Sequence, residues 1–441
     1  MKTRVKPDWI LIAICLILLL IYFSGVSGIP FHPDESTQLA MSADFETLLK
    51  QPGLLIWNSG QPAESPQTYR LLDAPLTRYI LGFGRALANL PPPSGYWDWS
   101  KDWQANLDRD AYPDIRTLLA GRLAISILFP FSLLFLYLSA RGIGGRIAGY
   151  SAIILLGLNA LVLLHARRAM AEGPLLFGIT AVMASWLAAP RRPWLAGLAM
   201  AIAFNAKQSS LALFPVGILA VCWVTAGSQS RAVRIFGNII QYILIFSAVT
   251  WLLNPVAWRQ PWTVARVATQ ARAALLSQQV ADTQRLAPSQ VLDQPSDRAA
   301  VLLGHLYLTQ PMFAEAENYR SQTIPAEAAY LAKPFNNLGR NSLFAGFLLA
   351  LTVFGLITSA LRTRQQGSLE KRYTILVLLG TLCMAGGLLL AVPLPWQRYI
   401  LPLIPIACVW AGLGVSRLLQ LFPLIRKSPR NLSLKSKMRA L

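Results

Sequence analysis

Immediately after the first long apolar run stand Phe31-His32-Pro33-Asp34-Glu35, two adjacent carboxylates behind a histidine and a proline. Acids at a membrane surface are poorly placed for stability, because partial desolvation and anionic headgroups both disfavour their charge. Two readings account for them: chemistry, or a helix N-terminus in which Asp34 or Glu35 satisfies orphan N–H groups of a helix over 36–50. His32-Pro33 stiffens the approach, since proline restricts itself and the residue before it. Asp34 and Glu35 project differently from any regular backbone, so one can react while the other supports. Other polar residues gather at the same membrane depth. Asp73 precedes Ala74-Pro75-Leu76; Arg167, Arg168 and Glu172 fill a short loop over 165–173; Lys207 closes one apolar run; and Arg398-Tyr399 opens the last, after Pro395-Trp396. Singly these read as a capping acid, loop solvation and snorkelling cations. Together they put carboxylates and cations at one depth, which suits a phosphate-bearing lipid. Arginine favours bidentate phosphate contacts, so Arg398, Lys207, Arg167 and Arg168 are the candidate phosphate ligands.

The elements that position these residues are membrane spans. The 441-residue chain is 54% hydrophobic and only 14% charged, with mean hydropathy +0.44. Soluble domains carry about a quarter charged residues. The apolar residues are concentrated in runs near 9–29, 117–139, 147–165, 174–189, 194–206, 208–226, 235–253, 341–361, 373–393 and 399–421. Each can cross, or nearly cross, a hydrocarbon core of roughly 30 Å. The fourth and fifth are short and split by Pro190-Arg191-Arg192-Pro193. The expectation is an all-α integral membrane protein with about ten transmembrane helices. The first run, lacking a small-residue cleavage site, is expected to stay as an anchor rather than act as a signal peptide.

A net charge of +20 and pI near 10.2 could indicate nucleic acid. The distribution excludes it. With the N-terminus in the cytoplasm and ten alternating spans, the inner side collects 20 basic residues against two acids, Asp8 and Glu370. The other 20 basic residues lie outside or near outer helix ends, beside the remaining 18 acids. The excess is positive-inside bias. Cys15, Cys222, Cys383 and Cys408 all fall in predicted spans without paired spacing, so no disulfide framework or metal knuckle is indicated.

Inner loops are short, whereas two long ones, 30–116 and 254–340, face outside. Leu76, Tyr79, Ile80, Phe83, Leu87 and Leu90 recur at helical spacing, with Arg78, Arg85 and Asn89 on another face. That pattern predicts an amphipathic helix lying in the interface. Residues 36–50 and 263–281 read as further helices. Tyr96-Trp97-Asp98-Trp99 with Trp103 is an aromatic cluster of the kind favoured at headgroup depth. The domain plan is one membrane domain over 1–421 and a basic cytoplasmic tail over 422–441.

Several of these segments, in order, resemble the membrane-embedded GT-C glycosyltransferases, specifically the branch of dolichyl-phosphate-mannose protein mannosyltransferases and bacterial lipid A aminoarabinose transferases. Phe31-His32-Pro33-Asp34-Glu35 resembles the signature after the first span, and Asp73-Ala74-Pro75-Leu76-Thr77-Arg78-Tyr79 the acid-Pro-Pro-Leu segment. Ala166-Arg167-Arg168 through Glu172-Gly173-Pro174 resembles the second external loop. Gly197-Leu198-Ala199 through Ala206-Lys207-Gln208 resembles the Gly-Leu-Ala…Thr-Lys segment, and Arg398-Tyr399 through Pro402 and Pro405 the late helix. Ser36-Thr37-Gln38 departs from the Arg or Tyr usual after the acid pair, and Ala74 replaces the first proline. The resemblance implies transfer of a sugar from a polyprenyl-phosphate donor to an acceptor hydroxyl, of protein, lipid or glycan, on the extracytoplasmic face of a bacterial inner membrane, as part of cell-envelope or protein glycosylation. It implies inversion, with Asp34 as general base and Glu35, Asp73 and Glu172 supporting. His32 and Tyr399 lie beside the substrate. No cofactor is required; a divalent cation, held by Asp34 and Glu172, is an alternative to the cations for neutralising the leaving phosphate. Two other classes compete: a transporter or flippase for a lipid-linked sugar, which needs polar residues near the bilayer midplane, and a non-catalytic scaffold.

Both termini are expected in the cytoplasm. Cysteine labelling from either side of the membrane should reach 30–116 and 254–340 from outside only; a tag at position 300 reached only from the cytoplasm would overturn this topology.

Overall fold

A computed structural model describes residues 7–60, 66–223, 231–313 and 319–421. The tail expected over 422–441 and the Asn431-Leu432-Ser433 sequon lie outside the described residues, among which there is no β-strand. The helices are α1 (Trp9–Ser24), α2 (Pro33–Ala40), α3 (Asp44–Lys50), α4 (Pro66–Leu72), α5 (Leu76–Leu87), α6 (Trp103–Leu107), α7 (Ile115–Ser126), α8 (Phe129–Gly157) and α9 (Ala160–His165). They continue with α10 (Glu172–Ser185), α11 (Pro193–Ala206), α12 (Phe214–Cys222), α13 (Arg231–Leu253), α14 (Pro261–Leu286) and α15 (Pro295–Tyr307). Last come α16 (Arg320–Leu331), α17 (Ser342–Arg362), α18 (Ser368–Ala391) and α19 (Ile404–Leu421).

Five stretches are long and apolar enough to cross a membrane: 115–157, α13, α17, α18 and α19; α1, α10, α11 and the stretch 208–222 are shorter apolar helices. The protein is therefore a multi-pass membrane protein. The first of the five is folded back on itself. Gly145 takes φ +77°, a conformation other residues rarely adopt, and Tyr137 stacks on Tyr150 with ring centroids 5.6 Å apart. In a straight helix those two residues would be about 20 Å apart. α8 is thus a hairpin whose turn carries Arg141 and Arg146. Asp8, at the start of α1, accepts hydrogen bonds from the hydroxyls of Tyr150 (2.7 Å) and Tyr137 (3.2 Å), fastening α1 to that turn.

The centre of the bundle is α19, buried along most of its length against α8 and α17. Its approach to α17 depends on small residues, as in tightly packed membrane helices. A Cβ on Gly355 of α17 would lie 1.9 Å from the Trp410 carbonyl oxygen, and one on Gly414 would lie 2.2 Å from that of Leu351. The Trp410 indole donates to Thr381 Oγ1 at 2.9 Å, bringing α18 to the same centre.

The long loop after α1 is a folded cap. α5 is amphipathic as its spacing predicts; Tyr79 is buried and Leu76 and Ile80 pack inward, Phe83 and Leu87 are exposed, and Arg78 and Arg85 are buried. Arg78 and Arg70 both meet the buried Asp44 carboxylate, and Arg85 pairs with Glu46 and donates to Ser42 Oγ (3.0 Å). The aromatic cluster divides: Tyr96 and Trp99 are exposed, whereas Trp97 turns inward. Trp97 is fully buried, with Trp103 and Tyr319 rings 4.8 and 5.6 Å away, and its indole donates to the Tyr319 hydroxyl at 3.2 Å. A loop that folds needs its own apolar core, and these rings supply it.

Gly355→Leu should loosen the α17–α19 crossing by more than the usual 1–3 kcal/mol of overpacking, because the obstruction is backbone. Thermal unfolding in detergent checks this: Gly355→Leu should melt well below the parent, and Gly346→Leu, on an open part of α17 with nothing within 4 Å of an added Cβ, should not.

Candidate functional site

The two acids after α1 divide their work. Glu35 is fully buried and accepts four hydrogen bonds: from Arg122 Nε and Nη2 (both 2.7 Å), the Ala169 N–H (2.9 Å) and the His32 N–H (3.0 Å). Arg122 also donates to the Ile29 carbonyl oxygen at 2.7 Å. Glu35 thus closes the N-terminus of α2 and ties it to α7 and to the loop before α10. Burial alone would raise its carboxyl, but the Arg122 guanidinium, Arg168 and the Ala169 N–H hold it below the ordinary carboxylate range. His32 completes the cap, its Nδ1 accepting from the Asp34 N–H at 3.1 Å. Burial, with Arg168 and Arg398 beside it, keeps His32 well below its ordinary value.

Asp34 is spared from capping. Its side chain is 27% exposed and pairs with Arg398. Arg398 comes from the 3₁₀ turn Gln397–Ile400, where its guanidinium lies over Trp396 (4.8 Å) and Trp396 stacks on Tyr399 (5.4 Å). The segment around residues 305–312 sets that turn: Gln397 donates to the Gln310 carbonyl oxygen (2.6 Å) and accepts from the Met312 N–H (2.9 Å), while His305 meets the Pro395 carbonyl oxygen at 2.8 Å.

Around this pair stand three further groups. Lys207, at the end of α11, pairs with the buried Glu172 at 2.8 Å and lies 5.8 Å from the Tyr399 ring centre. Asp73 does not cap α5, whose preceding residue is Pro75, and instead accepts from Gln38 Nε2 at 3.0 Å. Burial and the neighbouring Asp34 charge raise the Asp73 carboxyl, against Arg272, Arg78 and Lys207. Arg168 is buried, its guanidinium 5.7 Å from the Phe313 ring, and it donates to the Pro30 carbonyl oxygen at 3.5 Å.

The structure therefore brings together Asp34, Arg398, Tyr399, Lys207, Glu172, Asp73, His32 and Arg168, with Glu35 beneath. Arg167 is not among them; it turns toward α1, stacking over Tyr22 at 5.1 Å and donating to the Ile21 carbonyl oxygen at 2.7 Å. Two residues were missed in the sequence. Arg122 lies inside a predicted span, where an intramembrane arginine is itself a functional signal. His165 is buried with neither ring nitrogen hydrogen-bonded among the described residues, and faces Arg168, His32, Arg398 and Lys207. Among the described residues no three His, Cys, Asp or Glu side chains converge to hold a metal ion. Asp34 and Glu172, the two carboxylates named as alternatives for holding a cation, are engaged here by Arg398 and Lys207 respectively.

The site thus gathers a partly exposed carboxylate and several cations at one end of a helical membrane bundle. The family model for dolichyl-phosphate-mannose-protein mannosyltransferase matches residues 69–259. The fold matches that of ArnT from Cupriavidus metallidurans, solved bound to undecaprenyl phosphate, at 13% identity and TM-score 0.50, covering 94% of this chain and 61% of that one. It also matches the oligosaccharyltransferase AglB from Archaeoglobus fulgidus, solved with an inhibitory peptide and a dolichol-phosphate, at 12% identity and TM-score 0.50, covering 99% and 54%. A third match is an A. fulgidus oligosaccharyltransferase complex with Zn and sulfate, at 13% identity and TM-score 0.52, covering 92% and 49%. The chain thus spans about half to three-fifths of the length of these proteins. No curated protein matches the sequence. The chain resembles the GT-C glycosyltransferases and shares their fold.

Glu35→Gln leaves the buried Arg122 guanidinium without its counter-charge and should cost about 3–5 kcal/mol. Because the folded Glu35 carboxyl is held low, its contribution is complete above the unfolded value of about 4.3 and is lost as pH falls through the lower folded value. Thermal melts of the parent and Glu35→Gln should therefore converge only in acid, whereas Asp34→Asn should melt near the parent at neutral pH.

Proposed function

We propose that the protein is an inverting glycosyltransferase that moves a sugar from a polyprenyl-phosphate donor to an acceptor hydroxyl on the extracytoplasmic face, with Asp34 as general base. The observation that carries this reading is Asp34 itself: of the two adjacent acids, it is the one left partly exposed, in contact with a cation that suits phosphate. The family match and the shared fold support the reaction class. An active site outside the membrane has no access to cytoplasmic nucleotide sugars, so a lipid-linked donor supplies the sugar.

The acceptor oxygen attacks the anomeric carbon as the bond from that carbon to the phosphate oxygen breaks. The phosphate leaves with the electron pair, and the acceptor proton passes to Asp34. One displacement inverts the centre. Arg398 touches both sides of this exchange: a guanidinium that moves from Asp34 to the arriving phosphate releases the carboxylate as the donor binds, so the base is uncovered only when there is a sugar to transfer. Lys207, held in place by Glu172, supplies a second charge for the developing phosphate. Arg168 and the neutral His165 complete the polar wall. Asp73, whose carboxyl is raised, takes part in acceptor binding through the Gln38 contact. The ten-span topology, the cytoplasmic termini and a bacterial inner membrane location belong to the same proposal, as does the assignment of 1–421 to one catalytic domain.

Assay of purified protein with a panel of polyprenyl-phosphate sugars tests the reading. Asp34→Asn keeps shape and removes the base, so turnover should fall about 10²–10⁴-fold while donor binding persists. Near-normal turnover in Asp34→Asn with an inactive Glu172→Gln would move the base to the second external loop.

A further inference from the structure

Arg167, turned away from the Asp34 cluster, lines a cavity of its own. The cavity has a volume of about 210 Å³, lies at the outer end of α1, and is bounded by Ser24, Gly25, Gly28, Arg167, Lys333 and Phe335 among others. The Arg167 side chain is buried, yet its Nε and Nη1 have no hydrogen-bond partner among the described residues. The Tyr330 hydroxyl faces the guanidinium and interacts with it. A buried guanidinium with unpaired N–H groups is costly unless something else satisfies it. No carboxylate lines the cavity.

A second cation meets the first. A Cβ on Gly28 would lie 2.6 Å from Lys333 Nζ, and one on Gly25 would lie 2.4 Å from Arg167 Nη1. Two glycines at the end of α1 therefore make the room in which both charges stand. The chain bearing Lys333 is held by Asn336, whose side-chain N–H donates to the Tyr330 carbonyl oxygen at 3.0 Å. Phe335 lies in the left-handed region at φ +70°. A non-glycine residue there costs on the order of 1–3 kcal/mol, and such strain collects at ligand sites. Below the cavity, Leu16 and Leu20 are exposed on α1 and lead at four-residue spacing to the exposed Ser24. That exposed apolar stripe ends at the cations.

We propose that this cavity binds the phosphate of an anionic phospholipid headgroup, with an acyl chain along the Leu16–Leu20 stripe, as a site separate from the Asp34 cluster. Arg167 gives the fixed, buried contact; Lys333, exposed at the rim, closes over the phosphate; Ser24 and Ser27 hydroxyls flank it. The site does not depend on the glycosyl-transfer reading.

Native mass spectrometry of the full chain in detergent tests it with three probes: phosphatidylglycerol, diacylglycerol with the same acyl chains, and inorganic phosphate. Phosphatidylglycerol should be retained at least tenfold better than diacylglycerol. Lys333→Glu should abolish that preference, Lys333→Met should reduce it several-fold, and Lys50→Glu, an exposed charge change on α3, should leave it intact. Lys333 is exposed, so both of its variants should melt near the parent. Equal retention of the two lipids, or a preference unchanged in Lys333→Glu, overturns the site. Inorganic phosphate held as tightly as phosphatidylglycerol, and lost in Lys333→Glu, overturns the lipid assignment in favour of a free anion.

Discussion

The arrangement rests on one buried ion pair. Glu35 and Arg122 join the segment after α1 to α7, and the Ala169 N–H on the same carboxylate adds the loop before α10. Every group of the candidate site is placed from one of those segments or from a neighbour packed on them. Neither charge is stable alone in such a place. An unpaired arginine within a helix end, or an unpaired glutamate without water, would cost several kcal/mol, so each holds the other in register. The pair therefore fixes where Asp34 begins, and a single residue further back along the chain the environment changes from water-free to water-touched.

The same logic of mutual neutralisation recurs around the site, with graded exposure. Glu35–Arg122 is dry, Glu172–Lys207 is intermediate, and Asp34–Arg398 is the most open. A dry pair is a fastening. An open one can exchange partners at modest cost, because water and a ligand phosphate compete on similar terms. That gradient separates supporting acids from the acid offered as a base, and it does so without appeal to residue type.

Much of this was legible in the sequence, for identifiable reasons. The spacing of Leu76, Tyr79, Ile80, Phe83 and Leu87 specifies a helix whatever surrounds it, and α5 forms there. The division of labour between Asp34 and Glu35 follows from their different projections, and Pro33 marks the start of α2. What sequence order cannot give is which way a side chain turns once its helix is packed. Arg167 and Arg168 are neighbours in the chain, yet one faces Tyr22 and the other Phe313. Trp97 has the composition of an interfacial aromatic, but the cap around it is large enough to bury it. Arg122 carries a signal of its own, since an arginine inside an apolar run requires a partner, but only the packed structure shows that the partner is Glu35, 87 residues away.

Finally, α1 is fastened at both ends, to α8 at one and to α7 at the other. Asp8 meets Tyr137 and Tyr150 below, and above it the segment leaving α1 is held by Arg122 through the Ile29 carbonyl. A helix of 16 residues is about 24 Å long, short of a hydrocarbon core of roughly 30 Å. A helix shorter than the core is normally accommodated by bilayer thinning, flanking side chains or association. With both of its ends clamped, α1 has little freedom to change its tilt, so any accommodation falls to the residues and helices that flank it.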